Sequence, residues 1–119
     1  MKKTLIIGAT PNESRYAFKA AEMLTQSGHT IIPFGIKKGE VLGMEIINDW
    51  TSFEGIDTVT MYVGEARQSE YIPKIISLNP KRVIFNPGTE NPDFYKSLDK
   101  AGIQYEEACT LVLLRTNQY

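Results

Sequence analysis

The chain has 119 residues, 42% of them hydrophobic and 23% charged, with a formal net charge of -1. These values sit near globular averages and set aside disordered, coiled-coil and collagen-like classes. The length suits a single domain over residues 1–119 with one hydrophobic core, and the near-neutral charge supplies no global attraction for nucleic acid or an anionic membrane.

An almost uninterrupted apolar run at 4–9 reads as a first, central strand, of the kind found where helices cover both faces of a parallel sheet. It ends in Gly8 and a short loop. Helical spacing then appears at Ala17, Ala20, Ala21 and Leu24, with Ser14 as the expected N-cap and Gly28 at the left-handed position past the helix end. Residues 29–34 read as strand two. Pro33 cannot donate to a ladder, so it is expected at the carboxyl end of that strand. Residues 35–48 carry three glycines and two lysines and suggest an irregular loop followed by a short edge strand at 45–47.

Residues 58–63 are rich in β-branched side chains and form the next strand, with a turn at Gly64. The helix after it places Tyr71, Ile72, Ile75 and Ile76 on one face. Pro73 requires either a kink or a helix restarted with Pro73 in its first turn. Asn79-Pro80 stops that helix, and 82–86 is the following strand. The next helix start is well marked by Asn91 as N-cap, Pro92 at the first helical position and Asp93 in the first turn. Phe94, Leu98 and Ala101 form its buried stripe, and Gly102 ends it. Residues 103–106 read as a short last strand, and 108–114 as a short helix or a strand. Strands alternating with helices at this spacing define an α/β, Rossmann-like, doubly wound fold. Its mainly parallel sheet has about five strands with helices on both faces, and any ligand belongs at the carboxyl ends of the strands near the switch point.

The loop after strand one fits phosphate chemistry. Gly8 lets the backbone approach a ligand closely, and the helix behind it offers unpaired amides and a positive dipole end. Arg15 and Tyr16 open that helix, where a guanidinium pairs bidentately with phosphate oxygens. The dinucleotide fingerprint G-x-G-x-x-G is incomplete, because Gly8 is followed by Ala9, Thr10, Pro11, Asn12 and Glu13. The acidic residue that binds a ribose diol is absent after strand two, where Lys37 and Lys38 stand instead, which favours a phosphorylated ribose of the NADP type over NAD.

Gly8-Ala9-Thr10-Pro11-Asn12 with Arg15-Tyr16, Ile32-Pro33, Gly39 and Gly43, and Phe85-Asn86-Pro87-Gly88-Thr89-Glu90-Asn91, together with Glu107-Ala108-Cys109-Thr110-Leu111, resemble the small stand-alone CoA-binding domain proteins. These are similar to the CoA-binding domain of the succinyl-CoA synthetase α subunit. The resemblance covers essentially the whole chain. It implies a Rossmann-like domain that binds coenzyme A or an acyl-CoA across the strand carboxyl ends, with no settled catalytic activity. It implies that Gly8, Thr10, Asn12 and Arg15 surround the phosphates and that Pro33, Ile36 and Lys37 lie near the adenosine, with Pro11 and Tyr16 also among the ligand-binding residues. It places Tyr62, Asn86, Pro87 and Gly88 along the rest of the cleft. Cys109 reads as a small buried hydrophobe, and the helix start after it offers a contact near the pantetheine end as the alternative. The synthetases bring a phosphorylated histidine from another domain; this sequence has neither the domain nor a matching histidine, so ligase activity is not implied.

His29, the single histidine, follows a helix-ending glycine and reads as structural, which argues against a His-based triad or a multi-His metal site. Glu106 and Glu107 are adjacent and point to opposite faces of a strand, so they form no general acid/base pair. Glu90 is the carboxylate expected nearest the cleft, with no partner. The resulting expectation is a small-molecule nucleotide ligand and no catalytic constellation. An NADP-binding oxidoreductase-like protein and a regulatory partner-binding protein with a vestigial pocket are the alternatives. Neither nucleic acid nor membrane is expected as a partner, and no protein partner is identified. A lone Cys109, no apolar leader after Met1-Lys2-Lys3, and apolar runs too short to span a bilayer make cytoplasmic the expected location.

Overall fold

A computed structural model describes residues 2–119; Met1, the first residue of the amino terminus expected to carry no leader, lies outside them. The elements run β1 (Lys3–Ile7), α1 (Tyr16–Gln26), β2 (Thr30–Phe34), a small hairpin of β3 (Glu40–Val41) and β4 (Met44–Glu45), β5 (Thr58–Met61), α2 (Ile72–Leu78), β6 (Arg82–Phe85), α3 (Pro92–Ala101), β7 (Gln104–Glu107) and α4 (Thr110–Arg115). Five strands form one parallel sheet in the order β2-β1-β5-β6-β7, so the order reverses between β1 and β5. The α/β, Rossmann-like class and the helices on both faces are as the alternation of elements implies.

The side-chain alternation of β1 assigns the two faces. Leu5 and Ile7 join Val59, Met61, Val83 and Phe85 against Ile75 of α2 and Phe94 and Leu98 of α3. Ile6 points the other way, onto Phe18, Ala21 and Leu24 of α1 and Leu114 of α4. Each fully buried side chain of this size contributes roughly 1.5–3 kcal/mol. Phe85 and Phe94 meet edge to face at 5.2 Å, a favourable aromatic geometry.

Local punctuation behaves as its chemistry dictates. Gly28 and Gly102 adopt positive φ after α1 and α3, and Asn79 takes a φ of 50° at the end of α2. The Asn91 side chain accepts from Phe94 N–H at 3.3 Å at the start of α3. Pro73 falls in the first turn of α2, where no helical hydrogen bond is lost, so the helix restarts rather than kinks. Pro33 occupies the penultimate position of an edge strand, and its carbonyl accepts from Ile47 N–H at 2.9 Å. Three expectations are corrected or resolved. Ser14 does not cap α1: Arg15 is the N-cap, because Asn12 Oδ1 accepts from both the N–H and the hydroxyl of Ser14 and turns that side chain away from the helix. The last strand begins at Gln104 rather than 103, since Ile103 N–H closes the α3 terminus onto Leu98 O. Residues 110–115 are helix, not strand.

Two polar brackets tie the strand ends together. Asn86, buried at the end of β6, donates from Nδ2 to Thr60 Oγ1 at 2.7 Å and to Met61 O at 2.8 Å, and its Oδ1 accepts from Thr110 N–H at 2.9 Å. Gln68 donates to Val63 O and Thr89 O and accepts from the Asn91 amide, joining the segments after β5 and β6. At the opposite end of the sheet the Tyr119 hydroxyl bonds Thr4, its ring lies 4.5 Å from the Arg82 guanidinium, and His29 Nδ1 accepts from Lys2 N–H at 3.1 Å.

Asn86→Ala should therefore cost roughly 2–4 kcal/mol, because two acceptors at the end of β5 and a donor at the start of α4 lose their partner. The thermal midpoint should drop by roughly 10 °C. A pH effect follows from His29. Desolvation first, then the positive charges of Lys2 and Arg82, hold its pKa below the ordinary 6.5. The unfolded chain takes up that proton before the folded one, so the stability is fully present above about pH 6.5 and is lost as pH falls through the depressed folded value. Thermal melts between about pH 7.5 and 5.5 should show the midpoint falling, with a flatter profile for His29→Gln.

Candidate functional site

The reversal of strand order leaves a crevice, because the connection after β1 leaves toward α1 on one face while that after β5 leaves toward α2 on the other. Gly8 makes the geometry possible. Its φ is 97°, and a Cβ there would stand 3.0 Å from the Tyr62 carbonyl group. The amides of Gly8 and Ala9 both donate to Phe34 O, at 2.9 and 3.0 Å, which pulls the loop across the end of β2. A cleft of about 590 Å³ opens above these ends.

The cleft gathers Gly8, Thr10, Pro11, Asn12, Arg15 and Tyr16 from the first loop and helix. Ile36 and Lys37 reach it from beyond β2, Tyr62 from the end of β5, and Pro87 and Gly88 from beyond β6. Asn12 N–H donates to Thr10 Oγ1 at 3.2 Å, and the Asn48 amide donates to Gly35 O at 2.7 Å and Lys37 O at 2.9 Å, so both rims are held by side chains. Three residues expected in the cleft do not line it. Pro33 is buried inside β2, Asn86 spends its amide on the bracket below the floor, and Cys109 is the half-buried N-cap residue of α4. Glu90 folds back to accept from Gly88 N–H at 3.0 Å, and Lys38 is exposed outside the lining.

The cleft also takes Gly35, Val63, Gly64, Arg67, Glu70, Tyr71 and Thr89, residues that sequence reasoning missed. A signal for most of them existed. Every connection leaving a strand carboxyl end borders the crevice in this topology, and residues 63–71 leave β5 at the switch point.

The electrostatics favour an anion. Arg15, Lys37 and Arg67 line the cleft against one carboxylate, Glu70. The N-terminus of α1 opens into it with no side-chain cap and no acidic residue in its first turn, whereas α3 satisfies its own with Asn91 and Asp93. First-turn amides and the helix dipole together attract negative charge. Burial pushes the Tyr62 hydroxyl up to about 12, with the Thr110 hydroxyl opposing, so at neutral pH Tyr62 is a hydrogen-bond donor rather than a base. Among the described residues no cluster of three or more His, Cys, Asp or Glu side chains is placed to hold a metal ion, and no helix is long and apolar enough to cross a membrane.

Comparison with known proteins agrees with this geometry. A solved structure of an uncharacterized protein is 53% identical over 100% of this chain and 98% of its own, with a TM-score of 0.98. A hypothetical protein from Pyrococcus horikoshii OT3 is 26% identical over 97% of this chain and 82% of its own, with a TM-score of 0.88. A protein from Thermus thermophilus is 21% identical over 99% of this chain and 90% of its own, with a TM-score of 0.86, a likeness of fold. No curated protein matches the sequence. The family described as the CoA binding domain matches residues 2–115. With that match over nearly its whole length, and a cationic cleft at the switch point of a parallel sheet, the chain belongs to the CoA-binding-domain family.

Proposed function

We propose that this cleft binds coenzyme A or an acyl-CoA and that the chain does so without catalysis of its own. The observation that carries the reading is the convergence, at the β1/β5 switch point, of the Gly8 loop, the uncapped α1 terminus with Arg15, and the Ile36-Lys37 rim. In this reading the diphosphate lies over residues 8–12 and the first turn of α1, the adenosine turns toward Ile36 and Lys37, and the pantetheine runs toward Tyr62, Pro87 and Gly88. Lys37 supplies charge for the ribose 3′-phosphate. Among the described residues the lining has no cysteine, serine or histidine, its hydroxyls belong to threonine and tyrosine, and its one carboxylate is Glu70, a set that supports binding over turnover.

Thermal unfolding with coenzyme A, dephospho-coenzyme A, NADP and NAD tests the ligand. A ligand at about a hundred times its Kd adds roughly 2.7 kcal/mol, several degrees in a domain of this size. Coenzyme A should stabilise most, and removing the 3′-phosphate should reduce the shift; a larger shift with NADP would replace coenzyme A by a nicotinamide nucleotide and call for a hydride-transfer assay. No shift with any of the four would favour a vestigial pocket and a protein partner. Arg15→Ala should weaken coenzyme A binding in calorimetry by about 1.5–3 kcal/mol, the worth of a charge-assisted hydrogen bond. Because Arg15 is exposed, the unliganded melting temperature should hold, and an unchanged affinity would remove Arg15 from the site.

A further inference from the structure

The cleft has two walls, and its two arginines stand on different ones. Arg15 precedes α1 on the wall that leaves β1. Arg67 lies in the short 3-10 turn Glu65–Arg67 on the wall that leaves β5. The ion pairs among the described residues are Lys81 with Asp57 and Arg82 with Glu106, so Arg67, like Arg15, has no carboxylate within ion-pair distance. Its turn is nonetheless anchored. Arg67 N–H donates to Gly64 O at 3.0 Å, and the next residue is the buried Gln68, whose side chain ties this segment to Val63 and Thr89.

We propose that Arg67 is a second diphosphate-binding residue, reaching the group from the wall opposite Arg15. The inference rests on the coenzyme A reading above and adds a residue to it. A diphosphate in the crevice presents oxygens to both walls, and one planar guanidinium engages those on one side only. Adjacent strands are about 4.8 Å apart, which puts the β5 wall roughly 10 Å from the Lys37 rim beyond β2. Arg67 thus belongs with the diphosphate over β1 and β5 and not with the ribose phosphate. Glu70, three residues further along the same arm, disfavours additional negative charge beyond Arg67 and confines the anion to the space between the two guanidinium groups.

Isothermal titration of wild type, Arg67→Gln and Arg67→Lys with coenzyme A, dephospho-coenzyme A and ADP tests the assignment. Arg67→Gln should weaken all three by the same factor, roughly tenfold to a hundredfold, and Arg67→Lys should recover part of the loss. Wild-type affinity for coenzyme A in Arg67→Gln overturns the proposal, as does a loss for coenzyme A that dephospho-coenzyme A does not share, which would place Arg67 on the 3′-phosphate. Arg67 is exposed, so unliganded melting temperatures should match; if Arg67→Gln melts early, the comparison of Arg67→Lys with wild type decides. Wild type that binds none of the three ligands ends the coenzyme reading and this one together. Binding that Arg15→Ala weakens and Arg67→Gln does not ends this one alone.

Discussion

The contact on which the rest depends is the packing of a side-chain-free residue at the end of β1 against the backbone at the end of β5. Gly8 can turn there because it has no Cβ to meet the Tyr62 carbonyl and because positive φ costs glycine little. The turn lets two successive amides share the Phe34 carbonyl and lays the following loop over β2 rather than straight into a helix. The crevice, the opening of α1 into it and the reach of Arg15 all follow from that one approach.

What the protein satisfies internally and what it leaves open are cleanly divided. No buried side-chain nitrogen or oxygen among the described residues lacks a partner, and the most heavily engaged, Asn86 and Gln68, lie just beneath or beside the cleft. They hold the loops after β5 and β6 in fixed positions. The groups left open are the first-turn amides of α1 and the charged ends of Arg15, Lys37 and Arg67, all bordering the same space. A scaffold with saturated polar groups below and unsaturated ones above is preorganised for an anionic ligand, since little has to be ordered on binding.

The two ends of the sheet have different tasks. The amino ends are sealed by Tyr119, Arg82, Thr4 and His29, a cluster of rings and hydrogen bonds whose groups face one another and not a cavity. The carboxyl ends carry the cleft. Parallel strands impose this polarity, because every strand places its carboxyl end, and the loop that follows, on the same side. Stability that depends on the protonation of His29 is thereby separated from ligand binding by the length of the strands.

Much of the fold was legible because its punctuation is local. Gly28, Asn79, Asn91-Pro92 and Gly102 mark helix ends by conformations or hydrogen bonds that close within a few residues, and apolar runs mark the strands. Ser14 misled because two competing local hydrogen bonds were available and Asn12 won. Spacing and residue type were enough for the fold class, for the loops that meet at the switch point and for the family. Which side chains line the cleft follows from contacts made in three dimensions. Asn86 turns inward because its partners Thr60 and Thr110, 26 and 24 residues away, present an acceptor and a donor that its amide engages together. Arg67 turns to the cleft because the buried Gln68 beside it pins the turn between two loops. Both choices are made by contacts distant in sequence, and no local pattern encodes them.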